Sequence, residues 1–118
     1  MADLDDATLA GLLRERREVI LRAAEERAAS FAEIAGARSA ATADDEHDPE
    51  GATLSEEWSR LAGLEERAAR DLAEVDDALR RLADGSSGLC EACGRRIPAE
   101  RLAVRPTATR CVGCACRR

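Results

Sequence analysis

The chain has no lysine and no tyrosine, and it has one phenylalanine, one tryptophan and one histidine in 118 residues. A globular core of ordinary shape is hard to build with so few aromatic side chains. Apolar residues still make up 45% of the chain, and most of them are alanine or leucine, while 36% of the residues are charged. A chain rich in Ala, Leu, Glu and Arg is typical of long helices or a coiled coil.

Long apolar runs are also absent, and none approaches the length of a membrane span. We see no signal peptide at the start of the chain, so the cytoplasm is the expected compartment and disulfide bonds are not expected. No nucleophile–base pair, phosphate-binding loop or open metal site is recognisable. We therefore expect neither membrane association nor enzymatic activity.

Charge is distributed unevenly along the chain. Residues 1–84 contain 22 acidic and 11 basic side chains, whereas residues 85–118 contain 2 acidic and 7 basic ones. The strongly acidic body would be repelled by phosphates, so direct DNA binding is not expected. The basic end carries the candidate patch for any such contact, which consists of Arg95, Arg96, Arg101, Arg105, Arg110, Arg117 and Arg118.

Four cysteines near the C-terminus form two C-x-x-C pairs. Cys90 and Cys93 form the first pair, Cys111 and Cys114 form the second, and seventeen residues separate them. Four thiolates at this spacing can close a tetrahedral shell around zinc, and a closed shell of this kind is structural rather than catalytic. We predict one structural zinc. A disulfide framework, a redox C-x-x-C motif and an iron–sulfur cluster are the alternatives.

A fifth cysteine and two glycines accompany these pairs. Cys116 is interpreted as a spare thiol, an alternative ligand or a redox-active group. Gly94 and Gly113 lie beside or inside the pairs, where a tight turn often requires positive φ. We also expect a small core around the metal, formed by Ile97, Leu102 and Val104.

The first predicted helix begins after a cluster of aspartates. Asp5 or Asp6 is the expected N-cap, and the helix runs to about Ala41. Its apolar positions recur at helical spacing. They are Leu9, Leu13, Ile20, Ala24, Phe31 and Ile34.

The second predicted helix starts either at Pro49, capped by Asp48, or one turn later with a capping box formed by Thr53 and Glu56. It ends at Asp84, with Gly85 as its C-terminal cap. A heptad seam runs along it. The seam consists of Leu54, Trp58, Leu61, Glu65, Ala68, Leu72, Val75, Leu79 and Leu82.

These two helices are predicted to pair antiparallel across an acidic turn at residues 44–51. Residues whose numbers sum to about 92 should then lie opposite each other, which brings Phe31 to Leu61 and Arg27 to Glu65. The Arg27–Glu65 pair is either an ion pair within the seam or two side chains that extend past it to water. The predicted fold is all-α: residues 1–85 form a long antiparallel coiled-coil hairpin, and residues 86–118 form a four-cysteine zinc finger.

Residues 88–94 (GLCEACG), 97–98 (IP), 101–108 (RLAVRPTA) and 111–114 (CVGC) carry a specific pattern. Together with the hairpin layout, this pattern resembles the DksA/TraR family of bacterial transcription factors. The resemblance implies that the chain is a transcription regulator that binds RNA polymerase. In this family the coiled coil enters the secondary channel of the polymerase, and its acidic tip approaches the active-site magnesium.

The resemblance also assigns residues to the tip. The family tip typically reads Asp-x-x-Asp-x-Ala, which places Ala52 at the alanine and Glu50 at the second acid. His47 falls at the first acid position, with Asp48 beside it. The acids Asp45, Asp48 and Glu50, together with Ala52, are therefore the predicted partner-binding tip.

Guanosine tetraphosphate binds DksA-like members through basic residues between factor and polymerase. Arg105 matches one of those positions, so the resemblance implies a nucleotide or polymerase contact there. Glu74 and Ala115 occupy the other two. An acid that faces a polyphosphate is repulsive, which argues against joint regulation by this nucleotide.

Two functions follow from the sequence. The first is a monomeric, RNA-polymerase-binding transcription regulator that carries one structural zinc. The alternative is a zinc-finger module that binds nucleic acid or another protein directly.

Overall fold

The structure is a computed structural model, and it describes residues 4–41 and 49–116. Helix α1 spans Asp6–Ala41 and helix α2 spans Pro49–Asp84. Two short helices follow, α3 at Ala99–Val104 and α4 at Val112–Ala115. No β-strand forms within these described ranges, where only an isolated antiparallel bridge joins Leu89 to Arg96. The predicted all-α class, with two long helices and a C-terminal four-cysteine segment, is confirmed.

Helix α1 begins with the capping interaction that the sequence predicts. The carboxylate of Asp5 accepts a hydrogen bond from the backbone N–H of Thr8 at 2.7 Å, which satisfies one of the free donors of the first turn. Hydrogen bonds from the side chain and backbone of Thr8 hold the pKa of Asp5 below its usual value. The helix ends at Ala41, as predicted.

Helix α2 starts at Pro49, which agrees with the first of the two predicted starts. Proline suits this position because its missing N–H would be unpaired there in any case. At the other end, Gly85 has a φ of +83°, and the N–H of Ser86 donates to the carbonyl of Arg81 at 3.0 Å. This closes the final turn in the way that a C-terminal glycine allows.

The chain divides into two compact units, and one of them comprises Met1–Glu18 with Leu72–Arg118. Its helical core contains Leu9, Leu13, Val75 and Ala78, all nearly inaccessible to solvent. The guanidinium of Arg17 pairs with the carboxylate of Asp76 at 2.9 Å, and the two residue numbers sum to 93. The predicted antiparallel register is therefore confirmed in this unit.

The other unit comprises Val19–Asp71. Nε of Arg27 donates to Oε2 of Glu65 at 3.1 Å, so the predicted pairing is confirmed. The ring of Phe31 lies edge-on to Trp58 with centroids 4.7 Å apart, and the predicted pairing of Phe31 with Leu61 stays a prediction. Trp58 is about one turn from Leu61, and a large ring on one helix can reach that far along its neighbour. Leu61 itself is buried.

The acidic turn lies partly outside the described residues. Asp45, His47 and Asp48 all fall there, whereas Glu50 belongs to the first turn of α2 and Ala52 follows it in the same helix. None of the helices in the described part of the chain is long and apolar enough to cross a membrane. The predicted boundary after residue 85 stays a prediction.

Candidate metal centre

The first cysteine pair lies in a tight loop closed by backbone hydrogen bonds. The N–H of Cys90 donates to the carbonyl of Arg95 at 2.8 Å, and the N–H of Gly94 donates to the carbonyl of Cys90 at 2.9 Å. Gly94 has a φ of +76°, as expected from the sequence, and a side chain there would be strained. The loop brings Cys93 back toward Cys90.

The second cysteine pair sits at the start of a helix rather than in a second left-handed turn. Cys111 is the extended residue before α4, and Cys114 lies within that helix. The N–H of Ala115 donates to the carbonyl of Cys111 at 2.9 Å. Gly113 is part of α4 and does not have positive φ, so the expectation for that glycine was wrong.

Polar contacts connect the two cysteine pairs. The N–H of Glu91 donates to the carbonyl of Thr109 at 2.8 Å. The side chain of Glu91 accepts from Nε of Arg110 at 2.9 Å, and Nε of Arg101 donates to the carbonyl of Arg110 at 2.8 Å. These bonds fix one loop against the other without requiring a large apolar core.

The apolar core of this segment is small. Ile97, Leu102 and Ala108 are buried, with Thr107 beside them. Val104, expected in the same core, is 84% exposed, and that prediction was wrong. Val104 is the last residue of a six-residue helix, where its side chain faces away from Leu102 two positions earlier.

The four cysteine sulfurs converge on one point. The Sγ atoms of Cys90, Cys93, Cys111 and Cys114 all lie within 4.8 Å of one another, and those of Cys93 and Cys111 are 3.9 Å apart. A tetrahedral zinc site with Zn–S bonds of about 2.3 Å requires sulfurs roughly 3.8 Å apart. The spacing and the all-thiolate donor set therefore fit one zinc ion.

Neighbouring groups shift the pKa values of three of these thiols in different directions. Hydrogen bonds from the backbone N–H groups of Cys111 and Cys93 lower the pKa of Cys90 to about 6. The backbone N–H of Cys114 lowers the pKa of Cys111. In contrast, the neighbouring thiols of Cys111 and Cys90 raise the pKa of Cys114 to about 12. Four thiolates so close together repel each other, and a dication offsets that repulsion.

Cys116 lies apart from this cluster. It is exposed, it follows α4 directly, and it does not belong to the four-sulfur group. Its interpretation as a spare thiol remains a prediction.

A cavity beside the finger brings together three residues that the family resemblance had singled out. Glu74, Arg105 and Ala115 all line it. Sequence reasoning missed the other charged residues of this cavity, since Asp77 and Arg81 on α2 come close to the finger only in the folded chain.

Comparison with known proteins agrees with this geometry. The prokaryotic dksA/traR C4-type zinc finger matches residues 85–118. The RNA polymerase-binding transcription factor DksA of Caulobacter vibrioides is 48% identical over 44 residues, which cover 37% of this chain and 31% of the relative. DksA of Escherichia coli K12 is 34% identical over 63 residues, covering 53% of this chain and 42% of the relative. The chain thus matches less than half the length of these curated relatives.

The similarity to a solved structure extends further along the chain. Transcription factor DksA2 from Pseudomonas aeruginosa has a TM-score of 0.56 and 29% sequence identity, and the likeness covers 95% of this chain and 87% of that one. Both long helices therefore contribute to the likeness, together with the finger.

Two long helices and a four-cysteine centre define a helical protein with a C4-type zinc finger, whose cysteines are clustered to hold one metal ion. The finger match, the DksA relatives and the DksA2 structure together support membership of the DksA/TraR family.

Proposed function

We propose that this protein is a transcription regulator that binds RNA polymerase and has no enzymatic activity of its own. The observation that carries the proposal is the likeness to DksA2 over 95% of the chain, because it includes the two helices as well as the finger. The DksA proteins of Caulobacter and Escherichia coli are both named as RNA polymerase-binding transcription factors.

Cys90, Cys93, Cys111 and Cys114 are the proposed ligands of one structural zinc. Their four sulfurs are close enough for a single tetrahedral shell. Zinc supplies no reaction here. It holds together a segment in which few large apolar side chains are buried.

The proposed mode of action follows the family. The hairpin enters the secondary channel of the polymerase, and the acids Asp45, Asp48 and Glu50 approach the active-site magnesium, with Ala52 beside them. Carboxylates are hard oxygen donors that suit magnesium or its ligands. The density of acids at the turn between two long helices supports this assignment.

The finger and the adjoining helix ends are proposed to supply most of the binding surface. Arg105 is exposed there and is the proposed nucleotide or polymerase contact. In this account the protein works as a monomer in the cytoplasm, where its polymerase partner is found.

Binding to core RNA polymerase, measured beside binding to duplex DNA over a range of salt concentrations, tests the proposal. We expect saturable polymerase binding and no DNA binding at physiological salt. Failure to bind core polymerase, in a preparation that holds one zinc per chain, would overturn it.

A zinc-finger module that binds nucleic acid directly is the second candidate, and the basic charge of residues 85–118 favours it. Two of the finger's arginines are already engaged within the chain, Arg110 with Glu91 and Arg101 with a backbone carbonyl. DNA affinity that falls steeply with salt, combined with no affinity for polymerase, would favour this candidate.

A further inference from the structure

The two cysteine pairs belong to separate loops, and three polar contacts beside the cysteines hold those loops together. The N–H of Glu91 donates to the carbonyl of Thr109 at 2.8 Å. Nε of Arg110 donates to Oε1 of Glu91 at 2.9 Å, and Nε of Arg101 donates to the carbonyl of Arg110 at 2.8 Å. These three hydrogen bonds are called the loop clamp below.

The loop clamp acts on residues that adjoin the metal ligands in the chain. Glu91 lies between Cys90 and Cys93, and Arg110 immediately precedes Cys111. The bond between Glu91 and Arg110 therefore joins the two halves of the four-sulfur cluster directly beside its ligands. If the loops separated, two of the four sulfurs would leave the shell together, because each loop contributes one cysteine pair.

Arg101 is the best-anchored member of the loop clamp. It lies in α3, where the next residue, Leu102, is buried in the core of the finger. Arg101 is itself half-buried, whereas the side chains of Glu91 and Arg110 are 53% and 48% exposed. Hydrogen bonds that involve a charged group contribute more to stability than exposed ion pairs do. We therefore expect Arg101 to contribute more to the clamp than the Glu91–Arg110 pair.

The charge of Arg101 also suits its position. Four thiolates outweigh the charge of one zinc ion, so the loaded shell is negative. The guanidinium of Arg101 ends at the carbonyl of Arg110, one residue before the ligand Cys111. A cation held beside a negative shell favours its retention.

We propose that Arg101, Arg110 and Glu91 are positioning residues of the metal centre, which hold the two cysteine pairs together and so determine how slowly zinc leaves. The three residues are not ligands, and they act through the backbone beside Cys90 and Cys111. The inference rests on the proposed zinc site and is independent of polymerase binding.

The test measures the rate at which the zinc-loaded chain releases its metal to an excess of a chromogenic chelator. Arg101→Gln should release zinc roughly tenfold faster than the original protein, because groups that orient metal ligands typically change metal affinity by about 10–100-fold. Arg110→Gln should release zinc about threefold faster, as expected for the loss of an exposed ion pair.

Arg95→Gln is the matched control, since it removes one positive charge from the first cysteine loop. Arg95 is exposed, and its side chain has no hydrogen bond or ion pair within the part of the chain that the structure describes. Its backbone carbonyl, which accepts from the N–H of Cys90, is unaffected by the substitution. The control should release zinc within about twofold of the original rate.

A reversed ion pair separates positioning from a general loss of stability. Glu91→Arg and Arg110→Glu should each release zinc faster, whereas the two changes combined restore an ion pair and should return the rate to within about twofold of the original. Absorption spectra of the cobalt-loaded variants should all show the same tetrahedral four-thiolate site. Each variant then fills the same shell before release begins.

Three results would count against the account, and each has a different meaning. Release from Arg101→Gln no faster than from Arg95→Gln would overturn the role of Arg101. A reversed pair that releases zinc as fast as its two single variants would overturn the role of the ion pair, and this comparison stands even if Arg101→Gln does not fold. An original chain that takes up no zinc would instead overturn the proposed metal site.

Discussion

We expect the four cysteine side chains to determine whether the C-terminal segment folds, because its buried apolar residues Ile97, Leu102 and Ala108 form only a small core. Metal binding and folding are coupled in such segments. Cys116→Ser should therefore still hold one zinc per chain, whereas Cys114→Ser should lose the metal. Elemental analysis of the purified variants, with helical content from circular dichroism, measures both effects.

The opposite result for these two variants would overturn the ligand assignment. If Cys116→Ser emptied the site while Cys114→Ser stayed loaded, Cys116 would be the fourth ligand. The C-terminal helix α4 would then have to rearrange from its present course.

Gly94 offers a second test at the scale of one residue. Its φ of +76° is unfavourable for any other residue by roughly 1–2 kcal/mol, although the space beside it is open. Gly94→Ala should therefore lower zinc affinity by about tenfold, as measured by competition with a chelator. Gly113→Ala is the matched control, since Gly113 also has open space beside it but lies in α4. An equal loss of zinc affinity in the two variants would show that backbone strain at Gly94 is not the cause.

At the scale of elements, one ion pair joins α1 to α2 where the apolar seam is interrupted. Arg27 is only 13% exposed, whereas Glu65 is 52% exposed, so the pair is neither fully buried nor fully in water. Among the residues that the structure describes, Nη2 of Arg27 is buried and finds no hydrogen-bond partner. Each of the two interpretations of the sequence therefore holds in part. Arg27 and Glu65 form an ion pair within the seam, and the carboxylate of Glu65 also reaches solvent.

This asymmetry predicts unequal costs for the two single substitutions. Glu65→Leu should destabilise the protein by about 1–2 kcal/mol because it leaves the buried guanidinium of Arg27 without its partner. Arg27→Leu should cost less, since the half-exposed carboxylate of Glu65 can be solvated. The double variant should be about as stable as the original protein.

Urea unfolding of the four proteins completes this double-mutant cycle. A coupling energy near zero would mean that the pair adds nothing to stability. In that case the interrupted seam is tolerated for a different reason.

Over the whole molecule, the sequence predicts two kinds of feature. One kind comes from periodic apolar residues, and the other comes from short local motifs such as helix caps and cysteine pairs. Helical periodicity predicts α1 and α2, and Asp5 and Gly85 mark the start of the first helix and the end of the second. The two C-x-x-C pairs predict the four-sulfur cluster, because ligand spacing is a local property.

Features that depend on tertiary contacts could not be predicted in the same way. Val104 is apolar, yet a six-residue helix is too short for its pattern to show which side is buried. Gly113 forms part of α4, although it lies inside one cysteine pair much as Gly94 lies beside the other. The charged cavity is formed by residues far apart along the chain, and no local pattern reports it.

His47 provides a test of how the tip aligns with the family. If it stands where the family has an acid, His47→Asp should strengthen the effect on transcription, measured as a change in transcript yield at a fixed factor concentration. An unchanged yield would count against that alignment.

The central claim is that the hairpin acts inside the polymerase through its tip, while the finger unit provides the affinity. Asp48→Asn combined with Glu50→Gln tests this directly, with binding and in vitro transcription measured on the same preparation. Glu15→Gln combined with Glu66→Gln is the control, because it removes two negative charges away from the turn. We predict that the tip variant binds core polymerase within about threefold of the original protein and no longer changes transcription, whereas the control does both. Lost binding, or an unchanged effect on transcription in the tip variant, would contradict the account.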